Sequence, residues 1–151
     1  MKLPNIYYPS LPSEREFVNG YNENLQELAK RFWHEMSSIS LLLLAIAVCV
    51  SFGFCLYYYG PYNNRPNRHY LPFHWWKFML VCVLSSFAMT WIAEIILVKT
   101  TLNDTKMTMP FVALQNAVYS LVVYGVVSII WCNWWSTKAY RYCYFNWLHK
   151  K

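Results

Sequence analysis

Ionised side chains are what the hydrocarbon of a bilayer tolerates least, and three long stretches of this chain are almost free of them. Residues 36–64 are 29 positions without Asp, Glu, Lys or Arg, centred on Leu41-Leu42-Leu43-Leu44-Ala45-Ile46-Ala47-Val48-Cys49-Val50. Residues 78–98 are 21 positions with a single carboxylate, Glu94, and residues 107–137 are 31 positions with none. A helix crosses a hydrocarbon core of roughly 30 Å with about 20 apolar residues, so each stretch is long enough. Lipid offers a backbone no hydrogen-bond partners, which makes a helix the natural form of an isolated span. The pattern predicts an all-α membrane protein with transmembrane helices at 37–59, 75–98 and 109–135.

Composition agrees. The 151 residues are 57% hydrophobic and 13% charged, about half the charge of a soluble domain. The mean hydropathy of +0.19 is modest because, among the aromatic residues, 8 Trp and 13 Tyr count as nearly polar on such a scale. These rings flank the spans, as amphipathic side chains do at headgroup level: Tyr57-Tyr58-Tyr59, Trp75-Trp76, and Trp131 with Trp134-Trp135, all on one side. The other side is marked by Phe32-Trp33 and Trp91. The 36 residues ahead of the first span hold five Glu against four basic residues, unlike a cleavable leader, so the chain is expected to be mature as written.

One membrane domain is expected, at 37–135, between an N-terminal extended strap and amphipathic helix at 1–36 and a basic, aromatic interfacial tail at 136–151. Three spans put the N-terminus and the second loop on one side. That side carries Lys30, Arg31, Lys99 and Lys106; the opposite side carries Arg65, Arg68, Lys77, Lys138, Arg141, Lys150 and Lys151. The bias favours an outside N-terminus and a cytoplasmic C-terminus. The net charge of +6 reads as contact with anionic lipid, with Arg65, Arg68, Lys138 and Arg141 as headgroup ligands, rather than as a nucleic-acid surface.

Ahead of the first span, Ser13 and Glu16 have the spacing of a capping box, and Phe17, Tyr21, Leu25, Leu28 and Phe32 form one apolar stripe on a helix. This predicts a short amphipathic helix, dependable over about 22–35 because Gly20 weakens its start. It either lies at the interface or continues the first span. Residues 60–74 carry Pro61, Pro66 and Pro72 with Asn-rich turns and are expected to be a connector at the headgroup layer.

Glu94 is the most informative single residue, because a carboxylate inside a span is costly and faces protein or water. Counting along antiparallel spans puts Gln115 and Asn116 near its depth and the serines around Ser40 on the same side. The expectation is an intramembrane polar layer of Glu94, Gln115, Asn116 and Ser40, acting as structural glue or as an ion or proton station. Below Asn116, the positions Ser120, Tyr124 and Ser128 repeat every four residues and make a polar stripe facing water or a partner helix. Ala45, Cys49 and Gly53, and likewise Ala47, Ser51 and Cys55, are small-residue rows that allow close helix approach.

Catalytic patterns are not apparent. The five cysteines show neither CxxC nor a disulfide framework, the histidines have no zinc spacing, and four glycines form no phosphate loop. No enzyme activity, cofactor or metal is expected. The sequence therefore points to a non-enzymatic multi-pass subunit that contacts the lipid bilayer and self-associates or docks with other membrane subunits. The alternative is an ion-conducting subunit using Glu94 and the polar stripe.

Overall fold

The computed structural model describes residues 13–66, 71–100, 102, 108–135 and 143–145. Among the described residues, four α-helices follow one another: α1 (Glu14–Asn19), α2 (Glu23–Tyr57), α3 (Pro72–Leu97) and α4 (Thr108–Ile130). No strand occurs among the described residues. The three long helices belong to segments long and apolar enough to cross a membrane, and each packs on the other two. The architecture is an all-α membrane bundle preceded by a short helix.

The capping box forms. The Ser13 hydroxyl accepts from the Glu16 N–H at 3.4 Å, and the Glu16 carboxylate accepts from the Ser13 N–H at 3.1 Å. The helix it opens is only six residues long, ending at Gly20, and Asn22 starts a new one. That break changes the helical phase and divides the anticipated stripe. Phe17 packs on Tyr21 and Phe32, with ring centroids 5.3 and 5.8 Å apart, whereas Leu25 and Leu28 are exposed. The buried row of α2 runs instead through Ala29, Phe32, Trp33 and Met36. The segment at 22–35 is no separate helix, since α2 is continuous over 35 residues, roughly 52 Å at 1.5 Å per residue, and exceeds a bilayer core.

At the far end, π-helical turns at Tyr58–Tyr62 and Trp131–Trp135 extend α2 and α4. The first runs through Pro61, so the connector begins later than expected. Pro72 opens α3 from its first turn, where its fixed φ and missing N–H fit, so the helix begins three residues before the predicted 75.

The sidedness of the bundle reverses that of a soluble protein. Leu41, Leu42, Leu80, Leu84, Ile92, Ile96, Leu114 and Val118 face outward, while Ser51, Ser86, Thr90, Glu94, Asn116, Ser120 and Ser128 are buried. Apolar side chains gain nothing by leaving lipid, so packing and hydrogen bonds, rather than hydrophobic burial, select the inward face.

Candidate functional site

Each long helix contributes one inward row. On α3 it is Cys82, Ser86, Thr90 and Glu94, at four-residue spacing. On α4 it is Asn116, Ser120, Tyr124 and Ser128, so the stripe read from the sequence faces the chain's own helices. On α2 it includes Ser40, Leu43, Ala47, Ser51 and Cys55.

The rows are tied together at several depths. The Asn116 side-chain amide donates to the Leu43 carbonyl at 2.6 Å and to the Thr90 hydroxyl at 2.8 Å, joining all three helices. Two turns deeper, the Ser51 hydroxyl donates to the Ala47 carbonyl at 2.7 Å and the Ser120 carbonyl at 3.0 Å. The Cys82 thiol lies 3.7 Å from the Ser51 hydroxyl and 3.8 Å from that of Ser120. At the aromatic end, the Trp75 indole N–H reaches the hydroxyls of Tyr59 and Ser128, each at 3.2 Å. The Cys132 thiol donates to the Tyr59 oxygen at 3.5 Å, and the Tyr59 ring stacks on Trp131 at 5.8 Å. Tyr59 and Trp75 are therefore buried joints, Tyr58 is buried beside them with its hydroxyl unpartnered, and Trp76, Trp134 and Trp135 are exposed.

Glu94 stands apart. It is fully buried, at 0% exposure, and among the described residues neither carboxylate oxygen has a hydrogen-bond partner. Its backbone carbonyl accepts the closing Val98 N–H of α3. One turn from the Thr90–Asn116 bond, it lies at about the depth of Ile39 on α2 and Val112 on α4. The other members of the anticipated layer bond elsewhere. Gln115 donates to the Tyr119 hydroxyl at 2.9 Å and Ser40 to the Ser37 carbonyl at 2.8 Å. Equal depth does not give equal direction: consecutive residues on a helix diverge by about 100°, so Gln115 and Asn116 cannot share one inward row. Of the headgroup candidates, Arg65 is exposed; Arg68, Lys138 and Arg141 lie outside the described residues.

Two features escaped the sequence reading. The α3 row was visible as Cys82, Ser86 and Thr90 spaced by four from Glu94, but Glu94 alone drew attention through its charge. Glu35 was counted only as a charge; its carboxylate accepts the backbone N–H groups of Lys99 and Thr100, each at 2.9 Å, and the Thr100 hydroxyl at 2.9 Å. It clasps the end of α3 to α2, and nothing in its local spacing signals this.

The small-residue rows also separate. Ala47, Ser51 and Cys55 face the bundle, while Ala45, Cys49 and Gly53 are exposed. Cys49 and Gly53 line an open groove of about 460 Å³ with Val50, Phe54, Tyr57, Ser85 and Met89. A methyl placed on Gly53 would meet nothing within 4 Å, so its smallness serves no contact inside this chain. Among the described residues, no group of three His, Cys, Asp or Glu is placed to hold a metal ion. Compared with known proteins, the chain matches no protein-family model, no curated protein and no solved structure.

Proposed function

We propose that this chain is a multi-pass integral membrane subunit, without catalytic chemistry, that self-associates or docks into a larger membrane assembly. The observation that carries the reading is the outward placement of Ala45, Cys49 and Gly53, the last two of which line an apolar groove. Inside the bundle the equivalent small row lets Ser51 reach a carbonyl of the neighbouring helix. The outer row offers the same close approach to a helix from outside. Cys49 supplies a native probe: it is a free, exposed thiol in that groove. Oxidative crosslinking in native membranes should give a dimer through Cys49, or an adduct with another subunit, and Gly53→Leu should diminish it. A monomer alone, in crosslinking and in native mass spectrometry from gentle detergent, contradicts the proposal.

A second reading, ion or proton handling, is favoured by the buried carboxyl of Glu94 on the inward polar row. Its test is flux in reconstituted vesicles. A flux that Glu94→Ala and Asn116→Leu both abolish supports it, and one indifferent to both removes these residues from the path.

A further inference from the structure

Among the described residues, the Tyr58 and Tyr124 hydroxyls at the aromatic end lack partners, but the unpartnered ionisable acid lies on α3. The two oxygens of Glu94 have no partner, and Ser86, two turns along the same face of α3, also has an unpartnered buried hydroxyl. Thr90 lies between them and is bonded to Asn116. The apolar cluster at the Glu94 end of the bundle consists of Ala29, Phe32, Met36, Leu43, Val98, Leu102 and Val112. An ionised carboxylate without a partner in such surroundings costs several kcal/mol.

Among the described residues, the titratable groups brought to this end are already committed or remote. On α2, the His34 ring lies 3.4 Å from the Glu14 carboxylate, and Glu35 is taken up by Lys99 and Thr100. Lys99, past the end of α3, is exposed. The α4 helix carries no ionised residue, and its Tyr119 hydroxyl receives Gln115. A bound metal ion would need about six oxygen donors, but the adjacent polar side chains Thr90 and Asn116 are bonded to one another. A proton needs only the carboxyl itself.

We propose that Glu94 is an intramembrane proton-binding site: a neutral carboxylic acid that exchanges its proton with the side of the bilayer on which α1 lies. The proposal rests on the ion-handling reading and identifies the ion as H⁺. Its route is short, since Lys99 lies five residues beyond Glu94, roughly 7 Å along the helix direction.

A neutral acid in lipid has a diagnostic reaction with a lipid-soluble carbodiimide. Its oxygen bonds to the central carbon while its proton passes to one nitrogen. An oxygen-to-nitrogen acyl shift then leaves a stable acylurea, with the whole reagent added and nothing lost. The full chain in phospholipid vesicles is treated with dicyclohexylcarbodiimide and mapped by mass spectrometry. Glu94 should be modified faster than every other acidic residue, and that adduct should be lost in Glu94→Gln. Infrared spectra at neutral pH should show a carboxylic-acid C=O band that shifts in D₂O and disappears in Glu94→Gln.

Labelling confined to other acids, absence of the band, or a band unmoved by D₂O overturns the proposal. The labelling and the D₂O shift need only the unmodified protein, so they decide the matter even where the variant misfolds. Proton flux equal in wild type and Glu94→Gln, without an adduct at Glu94, removes this site while ion handling stands. An adduct and an exchanging band in vesicles that hold their proton gradient keep the site and remove conduction.

Discussion

The two ends of the bundle bury polar groups of different kinds. At the aromatic end, Tyr59, Trp75, Ser128 and Cys132 bond to one another across three helices, and the Tyr59 ring meets Tyr58 edge to face and stacks on Trp131. At the other end, Glu94 is buried with nothing to bond. Neutral groups that share hydrogen bonds hold membrane helices in register at little cost. A lone carboxyl leaves a desolvation penalty unrecovered, and such uncompensated penalties concentrate at functional sites. The aromatic end, whose unpartnered groups are the neutral Tyr58 and Tyr124 hydroxyls, is therefore the structural joint, and the end with the lone carboxyl is the place to look for activity.

This contrast is broken most sharply by replacing the unpaired group. Glu94→Leu should stabilise the bundle by about 1–3 kcal/mol, the usual penalty of a buried unsatisfied polar group, in reversible unfolding from mixed micelles. Destabilisation instead would mean that the carboxyl has a structural partner. Substitutions at the paired groups should have the opposite sign. Asn116→Leu and Trp75→Phe should each destabilise by about 0.6–2 kcal/mol, as each removes hydrogen bonds between helices; a neutral result at Trp75 would reduce its role to ring packing.

Smaller effects sharpen the comparison at the membrane edge. Glu35→Ala should speed amide hydrogen exchange at Lys99 and Thr100, whose N–H groups it holds, and leave exchange around Trp75 unchanged. The least effect belongs to the capping box. The Ser13 side chain, and then its backbone N–H, hold the Glu16 carboxyl below its ordinary value of 4.5. The box therefore contributes fully above 4.5 and is lost as pH falls through the lower folded value, because protonation removes the acceptor. Acid titration followed by NMR should show fraying of α1 as Glu16 protonates, and Ser13→Ala should reduce that pH dependence to the part owed to the backbone N–H.

Much of this arrangement was legible in advance, for a physical reason. The uncharged stretches located the spans because lipid excludes charge, and the Ser13–Glu16 spacing located the start of α1 because a cap is a local interaction. Spacing also marked Asn116, Ser120, Tyr124 and Ser128 as one face. It did not say whether that face meets water or protein, since both want the same polarity. The layer around Glu94 was harder to foresee. Depth along a span can be counted, but which side chains meet depends on helix rotation and register, and here Asn116 meets Thr90 rather than Glu94. The small rows illustrate the same point: Ala45–Cys49–Gly53 and Ala47–Ser51–Cys55 look equivalent as spacing, and packing alone separates them.

The central claim is a bundle with its polar rows inside and its apolar faces toward lipid. Carbene footprinting of the reconstituted, unmodified protein with a lipid-soluble diazirine, read out by mass spectrometry, tests it most directly. Leu41, Leu84, Ile92, Ile96 and Val118 should be labelled, while Ser86, Thr90, Asn116, Ser120 and Tyr124 are spared. Labelling spread evenly around the helices, or concentrated on the hydroxyl-bearing rows, would contradict the arrangement.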